Sequence, residues 1–309
     1  MITIGIDVSK PYLDIFETQN KTSTKIKNTE EGIRLFLAPY KDKQDFRIIM
    51  ESTGCYQCLM QQMATAMGII VYVVNPYRVR QFAQAMGKKS KTDKLDAKMI
   101  ALFGEKMSLN SVFKRSDSVL KLADLLRARS CLMTQNQALK NHKEIQSDPS
   151  ILTFMDASIE SLKASLKQIE KAIRTLIKQD TPLLQKFELM RSAPGIGEIC
   201  AWHLLAFMPE LGHVSREEIA ALCGVAPMVR ESGNWRGKSM ILGGRKNVRN
   251  VLYMGVMAIY THKKGILYQQ LQKLINKGKP FKVAVVACIR ELIVRLNVML
   301  RTGEVWRSS

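Results

Sequence analysis

Over the first hundred residues, short apolar runs alternate with amphipathic stretches, and the hydrophobic period switches between two and about 3.6. Ile2–Asp7 and Leu13–Thr18 read as strands flanking a turn at Ser9-Lys10-Pro11. A weaker strand follows near Thr24–Ile26. Thr29 is placed to cap a helix over Glu30–Leu37, whose leading acids suit the positive end of the helix dipole. Phe46–Met50 is a short apolar strand, and Cys55–Met67 reads as a helix ending at Gly68. Ile69–Val74 is β-branched and apolar, a buried strand closed by Asn75-Pro76. Pro76–Met86 and Asp93–Lys106 read as helices on either side of a basic loop, Gly87–Lys91. Strands first, then strand–helix alternation, predict one α/β layer domain over residues 1–107 with functional groups at its strand ends.

The pattern changes over residues 117–180, which are helical with few Pro or Gly apart from Pro149 near a break. Leu120, Leu122, Leu125 and Leu126 mark one amphipathic helix; Ile159, Leu162, Leu166, Ile169, Ile173 and Leu176 mark another at spacings of three and four. We read residues 108–184 as a helical linker and coiled-coil arm, pairing within the chain or between subunits. The alternative is a helical subdomain packed on its own core. Residues 185–309 form a further, mainly α domain with a Gly-rich middle.

Charge sharpens this picture. The chain of 309 residues carries a formal charge of +20 and a pI near 9.8. Residues 186–309 alone hold 19 Lys or Arg against 8 Asp or Glu. Such an excess points to a polyanionic partner, DNA or RNA, ahead of a membrane surface or mere solubility. No apolar run of about 18 residues occurs, and the N-terminus lacks a basic n-region, so we expect a cytoplasmic, nucleoid-associated protein with no membrane partner. Six cysteines are too few for a disulfide scaffold. Cys55 and Cys58 have C-x-x-C spacing, but a zinc ribbon needs a second pair.

Four acids carry the candidate chemistry. Asp7 and Glu51 each end a strand-like run, and Asp93 and Asp96 lie three apart, which on a helix brings Cβ atoms within roughly 5–6 Å. Gathered carboxylates repel unless cations balance them. Their hard oxygens suit Mg²⁺, and two ions about 3.5–4 Å apart would clamp both oxygens of a phosphodiester displacement. Read separately, each acid is equally a helix cap or a surface group. Between Arg78 and Arg115 stand ten Lys or Arg against three acids, with Lys88, Lys89 and Lys91 just before the acidic pair, placed to hold a phosphate backbone.

Two further motifs lie in the C-terminal part. Pro194-Gly195-Ile196-Gly197 opens a helix as in helix-hairpin-helix modules, where backbone N–H groups at a helix N-terminus grip phosphate; the plain reading is a tight turn. Glu231-Ser232-Gly233-Asn234-Trp235-Arg236-Gly237-Lys238-Ser239, with Gly243, Gly244, Arg245, Lys246 and Arg249, allows close backbone approach to phosphate. It offers two hydroxyl nucleophiles, Ser232 and Ser239, and composition alone does not choose between them.

As an ordered set, these motifs resemble the DEDD-type transposases of bacterial and archaeal insertion sequences, relatives of the pilin-gene invertases and understood as bridge-RNA-guided recombinases. Gly5-Ile6-Asp7-Val8-Ser9-Lys10, Glu51-Ser52-Thr53-Gly54, Val74-Asn75-Pro76 and Lys91-Thr92-Asp93-Lys94-Leu95-Asp96-Ala97 carry the N-terminal likeness. Pro194-Gly195-Ile196-Gly197, Cys223-Gly224-Val225-Ala226-Pro227, Glu231-Ser232-Gly233 and Arg236-Gly237 carry the C-terminal one. The resemblance implies an RNase H-like fold of the Holliday-junction-resolvase type holding Asp7, Glu51, Asp93, Asp96 and Mg²⁺. It implies that Ser232 attacks DNA to leave a phosphoserine link, that a structured guide RNA pairs with target and donor DNA, and that the arm supports a dimer or tetramer. The rival reading is a metal-dependent junction-resolving endonuclease that uses water in place of Ser232. An actin-like ATPase would need a second Gly-rich phosphate loop, which is not evident, and a non-catalytic scaffold would leave the acids without a role.

Overall fold

A computed structural model of the chain describes residues 2–40, 45–52, 54, 56–87, 93–109, 115–228, 231–232, 235–237 and 240–307, with the backbone alone described at 93–95, 231–232 and 235–236. Two compact units emerge, Met1–Phe113 and Lys114–Ser309.

The first unit is built on a five-stranded mixed sheet. β1 (Ile2–Val8) and β2 (Tyr12–Glu17) form an antiparallel hairpin, and β2 pairs antiparallel with β3 (Thr22–Lys27). β1 also pairs parallel with β4 (Phe46–Glu51), and β4 pairs parallel with β5 (Ile70–Val74), giving the order β3-β2-β1-β4-β5. The weak third strand of the sequence is therefore real and longer than expected. It lies at the sheet edge, where its apolar signal is diluted by exposed Lys25 and Lys27, the kind of charge that blunts edge-to-edge pairing.

Alternation along β1 assigns the two faces. Ile4, Ile6 and Val8 join Leu13, Ile15, Ile48 and Met50 under α1 (Glu30–Leu37) and α2 (Cys58–Ala66), through Ile33, Leu37, Met60 and Ala64. Thr29 caps α1 as expected, accepting from the Gly32 amide. The expected helix start at Cys55 lies outside the described residues, and α2 begins at Cys58. The opposite face presents Gly5, Phe16 and Ile49 to α3 (Pro76–Ala85) and α4 (Asp93–Lys106), through Val79, Ala97, Ile100, Ala101 and Phe103.

In the second unit, α5 (Asp117–Lys143) and α6 (Pro149–Gln179) form an antiparallel hairpin. The break falls where Pro149 occupies the first turn and Asp148 caps it, accepting from the amides of Ser150 and Ile151. The hairpin is rooted in the unit's core: Leu122, Ala123, Leu126, Ile173 and Ile177 pack with α7 (Thr181–Arg191), α8 (Glu198–Phe207) and α9 (Arg216–Cys223). The same core takes in α10 (Lys246–His262), α11 (Ile266–Asn276) and the long α12 (Phe281–Thr302). Among the described residues no helix is long and apolar enough to cross a membrane.

Candidate active site

Strand register brings the first two acids together. β1 and β4 pair through Ile6 and Met50, so one residue further on Asp7 and Glu51 stand side by side on the same face. Neighbouring strands lie about 4.8 Å apart. Both acids are half-buried. The face they share is the one that α4 covers.

Helix α4 brings the second pair to the same edge. A Cβ on Gly5 would lie 2.2 Å from the Ala97 carbonyl oxygen and 2.4 Å from the Ala101 amide nitrogen, so only glycine lets the helix sit this close. At its other end, Gly104 meets Ile49 and Thr3. The helix thus runs antiparallel to β1, with Gly104 over Thr3 and Ala97–Ala101 over Gly5. Moving from Gly5 to Asp7 advances about 6.6 Å along the strand, and one helical turn back from the Ala97–Ala101 contact is about 5.4 Å. That turn holds the backbone positions of Asp93 and Asp96, and Asp96 continues the sheet-facing stripe of Ala97, Ile100, Ala101 and Gly104. Asp96 is half-buried.

A further carboxylate stands on this face. Asp14 pairs across the β1–β2 hairpin with Asp7 and is 9% exposed. Lys25 Nζ holds it at 3.2 Å from β3. The sequence reading passed over it, although a charged residue inside the apolar run Leu13-Asp14-Ile15-Phe16 is itself a signal. Lys25 matches its charge locally, which lessens its repulsion of Asp7.

The donor set is chemically suited to a hard divalent cation, because Mg²⁺ needs only one or two protein carboxylates beside substrate phosphates. Asp7 and Glu51 supply that pair on adjacent strands. Among the described residues no group of three His, Cys, Asp or Glu forms a metal-binding cluster, and the Asp93 side chain is not among those residues.

In the second unit, Ser232 lies on a small β-ribbon. β6 (Pro227–Met228) pairs antiparallel with β9 (Met240–Ile241), and within them β7 (Glu231–Ser232) pairs with β8 (Trp235–Arg236). Ser232 is in backbone register with Trp235 in the innermost pair among the described residues. Ser239 lies outside the described residues.

The ribbon's feet explain the glycines. Gly224 ends α9 in left-handed backbone, φ +74°, and a Cβ there would lie 2.3 Å from the Gly243 carbonyl oxygen. A Cβ on Gly244 would lie 2.2 Å from the Gly224 nitrogen. The Arg245 amide donates to the Leu222 carbonyl at 2.9 Å. Arg249 Nη1 donates to the carbonyls of Gly243 at 2.9 Å and Gly224 at 3.2 Å. Arg245 makes two 2.6 Å bonds to the Glu210 carboxylate. Burial pushes the Glu210 carboxyl up, but those bonds and the guanidinium charge outweigh it and hold it below its ordinary value.

The nucleic-acid positions expected from sequence therefore divide. The guanidinium groups of Arg245 and Arg249 stitch the ribbon's base. Lys246 is exposed at the start of α10 and pairs with no carboxylate among the described residues. Gly197 is exposed at the start of α8 with open space beside it, whereas Gly195, φ +74°, packs against the Gly255 carbonyl of α10, 2.4 Å from where its Cβ would be. The helix start that Gly197 opens already carries an acid, Glu198, bonded to Arg174 at 2.8 Å. Arg236 is placed only by its pairing with Glu231, and Lys88, Lys89, Lys91 and Lys238 lie outside the described residues.

Residues 4–144 match a DEDD-type transposase family, and residues 187–272 match a family described as Transposase IS116/IS110/IS902. The chain is also 27% identical over 310 residues to the pilin gene-inverting protein of Moraxella lacunata, and 26% identical to that of Moraxella bovis. Each alignment spans 97% of this chain and 96% of the relative. An acid-bearing α/β unit followed by a basic helical one is thus that of a DNA transposase/recombinase. More narrowly, the chain carries the paired transposase domains of the IS110 family and is homologous to the pilin gene-inverting proteins.

Proposed function

We propose that this transposase is an Mg²⁺-dependent, RNA-guided recombinase that breaks and rejoins DNA through Ser232. The observation that carries the metal part is the register of β1 and β4, which sets Asp7 beside Glu51 under the helix start that bears Asp93 and Asp96. The same sheet, with its acids at strand ends, supports an RNase H-like fold of the Holliday-junction-resolvase type. Bound there, Mg²⁺ would offset the charge of the phosphodiester. Asp7, Glu51 and Asp96 would orient the phosphate through that charge, and the Asp14–Lys25 pair would keep a neighbouring carboxylate balanced.

Ser232 supplies the nucleophile. Its Oγ forms a bond to phosphorus as the P–O3′ bond breaks; the hydroxyl proton leaves Oγ and one is taken up by the departing 3′-oxygen. The product is a phosphoserine ester and a free 3′-hydroxyl. Attack by an exchanged 3′-hydroxyl reverses the step and rejoins the strands with no external energy. The family resemblance supports target and donor choice by a structured RNA. The named activity of the Moraxella relatives supports inversion or insertion of a DNA segment by such exchange. The α5–α6 hairpin would join copies into a dimer or tetramer.

The test is co-expression with the flanking element DNA, followed by a search for a protein–DNA adduct that survives denaturation. Wild type should form it, and Ser232→Ala and Asp96→Ala should not. Cleavage without any adduct in wild type would replace this reading with the water-using endonuclease.

A further inference from the structure

From Ser232 to Arg290 the chain contains no Asp or Glu and twelve Lys or Arg. The ribbon accounts for the first of these cations. Five others gather at the turns that flank α11, while Lys273 lies within α11 and Arg290 within α12. Lys263 and Lys264 follow α10, and Lys277, Lys279 and Lys282 surround the start of α12. All five are exposed, and none pairs with a carboxylate among the described residues.

The two turns meet at an aromatic pair. Tyr260, in the last turn of α10, and Phe281, the first residue of α12, lie 5.3 Å apart, edge to face at 69°. Each of the two residues is 36% exposed. A core contact would hide these rings; here they remain open to solvent inside a field of lysines.

We infer that this corner is a stacking platform for unpaired nucleotides. An exposed aromatic edge and face offers a base the contact that a duplex keeps for itself, and such stacking tolerates any sequence. The surrounding lysines suit the backbone phosphates, and no acid stands among the 59 residues of the chain that carry them. A duplex, its bases already stacked, gains from the lysines alone. The platform thus adds to the transposase a surface that discriminates single strands from double strands, and it does not depend on Ser232 or the acids.

Binding of the full chain to labelled oligonucleotides, followed by anisotropy without divalent cation, tests this with no cleavage involved. One RNA strand, the same DNA strand and its duplex are compared. The double variant Tyr260→Leu with Phe281→Leu should weaken both single strands about tenfold, from loss of one or more stacked bases, and leave the duplex within about twofold. Tyr260→Trp with Phe281→Trp should restore single-strand binding. Lys279→Gln with Lys282→Gln should weaken all three ligands and flatten their salt dependence. Unchanged single-strand binding in the leucine variant, or equal loss on duplex, would overturn the platform. Should the leucine variant melt early, photocrosslinking of wild type to a 4-thiouridine strand decides: crosslinks at residues 260–264 or 277–282 support it, and crosslinks only elsewhere refute it. Tighter binding of RNA would assign the site to the guide, and of DNA to a displaced strand. Loss of anionic-vesicle binding in the leucine variant, with strands still bound, would reassign the surface to lipid.

Discussion

Glu210 and Arg245 show how little a residue's type says about its partner. Read in sequence, Arg245 is one more cation in a glycine-rich loop; in the fold it closes a fork-to-fork pair with a carboxylate 35 positions away. The pair makes a pH-dependent contribution whose sign is fixed. The folded carboxyl lies below its ordinary value, so the stabilisation is complete above the unfolded value of about 4.3 and disappears as pH falls through the folded one. Glu210→Gln should cost about 2 kcal/mol at pH 7, lowering the melting temperature by about 4–8 °C. The gap between variant and wild type should close as melting is repeated toward pH 3. A gap that stays constant would mean the pair contributes nothing electrostatic. Composition could not have shown this, because a phosphate contact and an internal clamp draw on the same guanidinium chemistry.

Elements were legible where their periodicity was strong. β1, β2, β4, β5, α1 and α4 all fall where alternation, caps and glycine stops placed them. The two helices α5 and α6 were equally plain from two amphipathic stripes separated by a proline, but the stripes left open whether they pair within the chain, between subunits or on a core of their own. What the sequence hid was the contact between elements. Gly5 looks like an ordinary strand residue before Asp7, yet it is the point at which α4 touches the sheet. Asp14 was hidden for the same reason: its significance comes from the residue opposite it, not from its neighbours in the chain. Gly5→Ala should therefore act at a distance of two residues. The added methyl would push α4 outward, at about 1–3 kcal/mol, and separate the position of Asp96 from Asp7. DNA cleavage should fall more than about tenfold, since misplacement by 1 Å costs on the order of 100-fold. Amide exchange in β1 and α4 should rise while that of α12 is unchanged. Wild-type cleavage by this variant would show that the helix start does not belong to the site.

At the scale of the molecule, the candidate residues are divided between the two units, both of them net basic. The first gathers carboxylates on a sheet edge; the second carries most of the positive excess and a serine on a ribbon. Neither unit's composition alone identifies a recombinase. The ordered motifs pointed there, and both family matches follow the same order along the chain. The ribbon's root has a consequence for how such a protein can change over time. Gly224, Gly244 and Arg249 already bring the two feet together, so the entropy of closing the excursion is met at its base. Two residues added to each arm, beyond those feet, should shift stability by only about 0.2 kcal/mol, read as a melting temperature unchanged within about 1 °C. The same addition carries Ser232 outward by about 6.6 Å and should abolish recombination; a large loss of stability instead would mean the feet are not the anchor. Ribbon length is thus free to drift as far as folding is concerned, and under the proposed role of Ser232 it is selection on DNA rearrangement that would hold it in place.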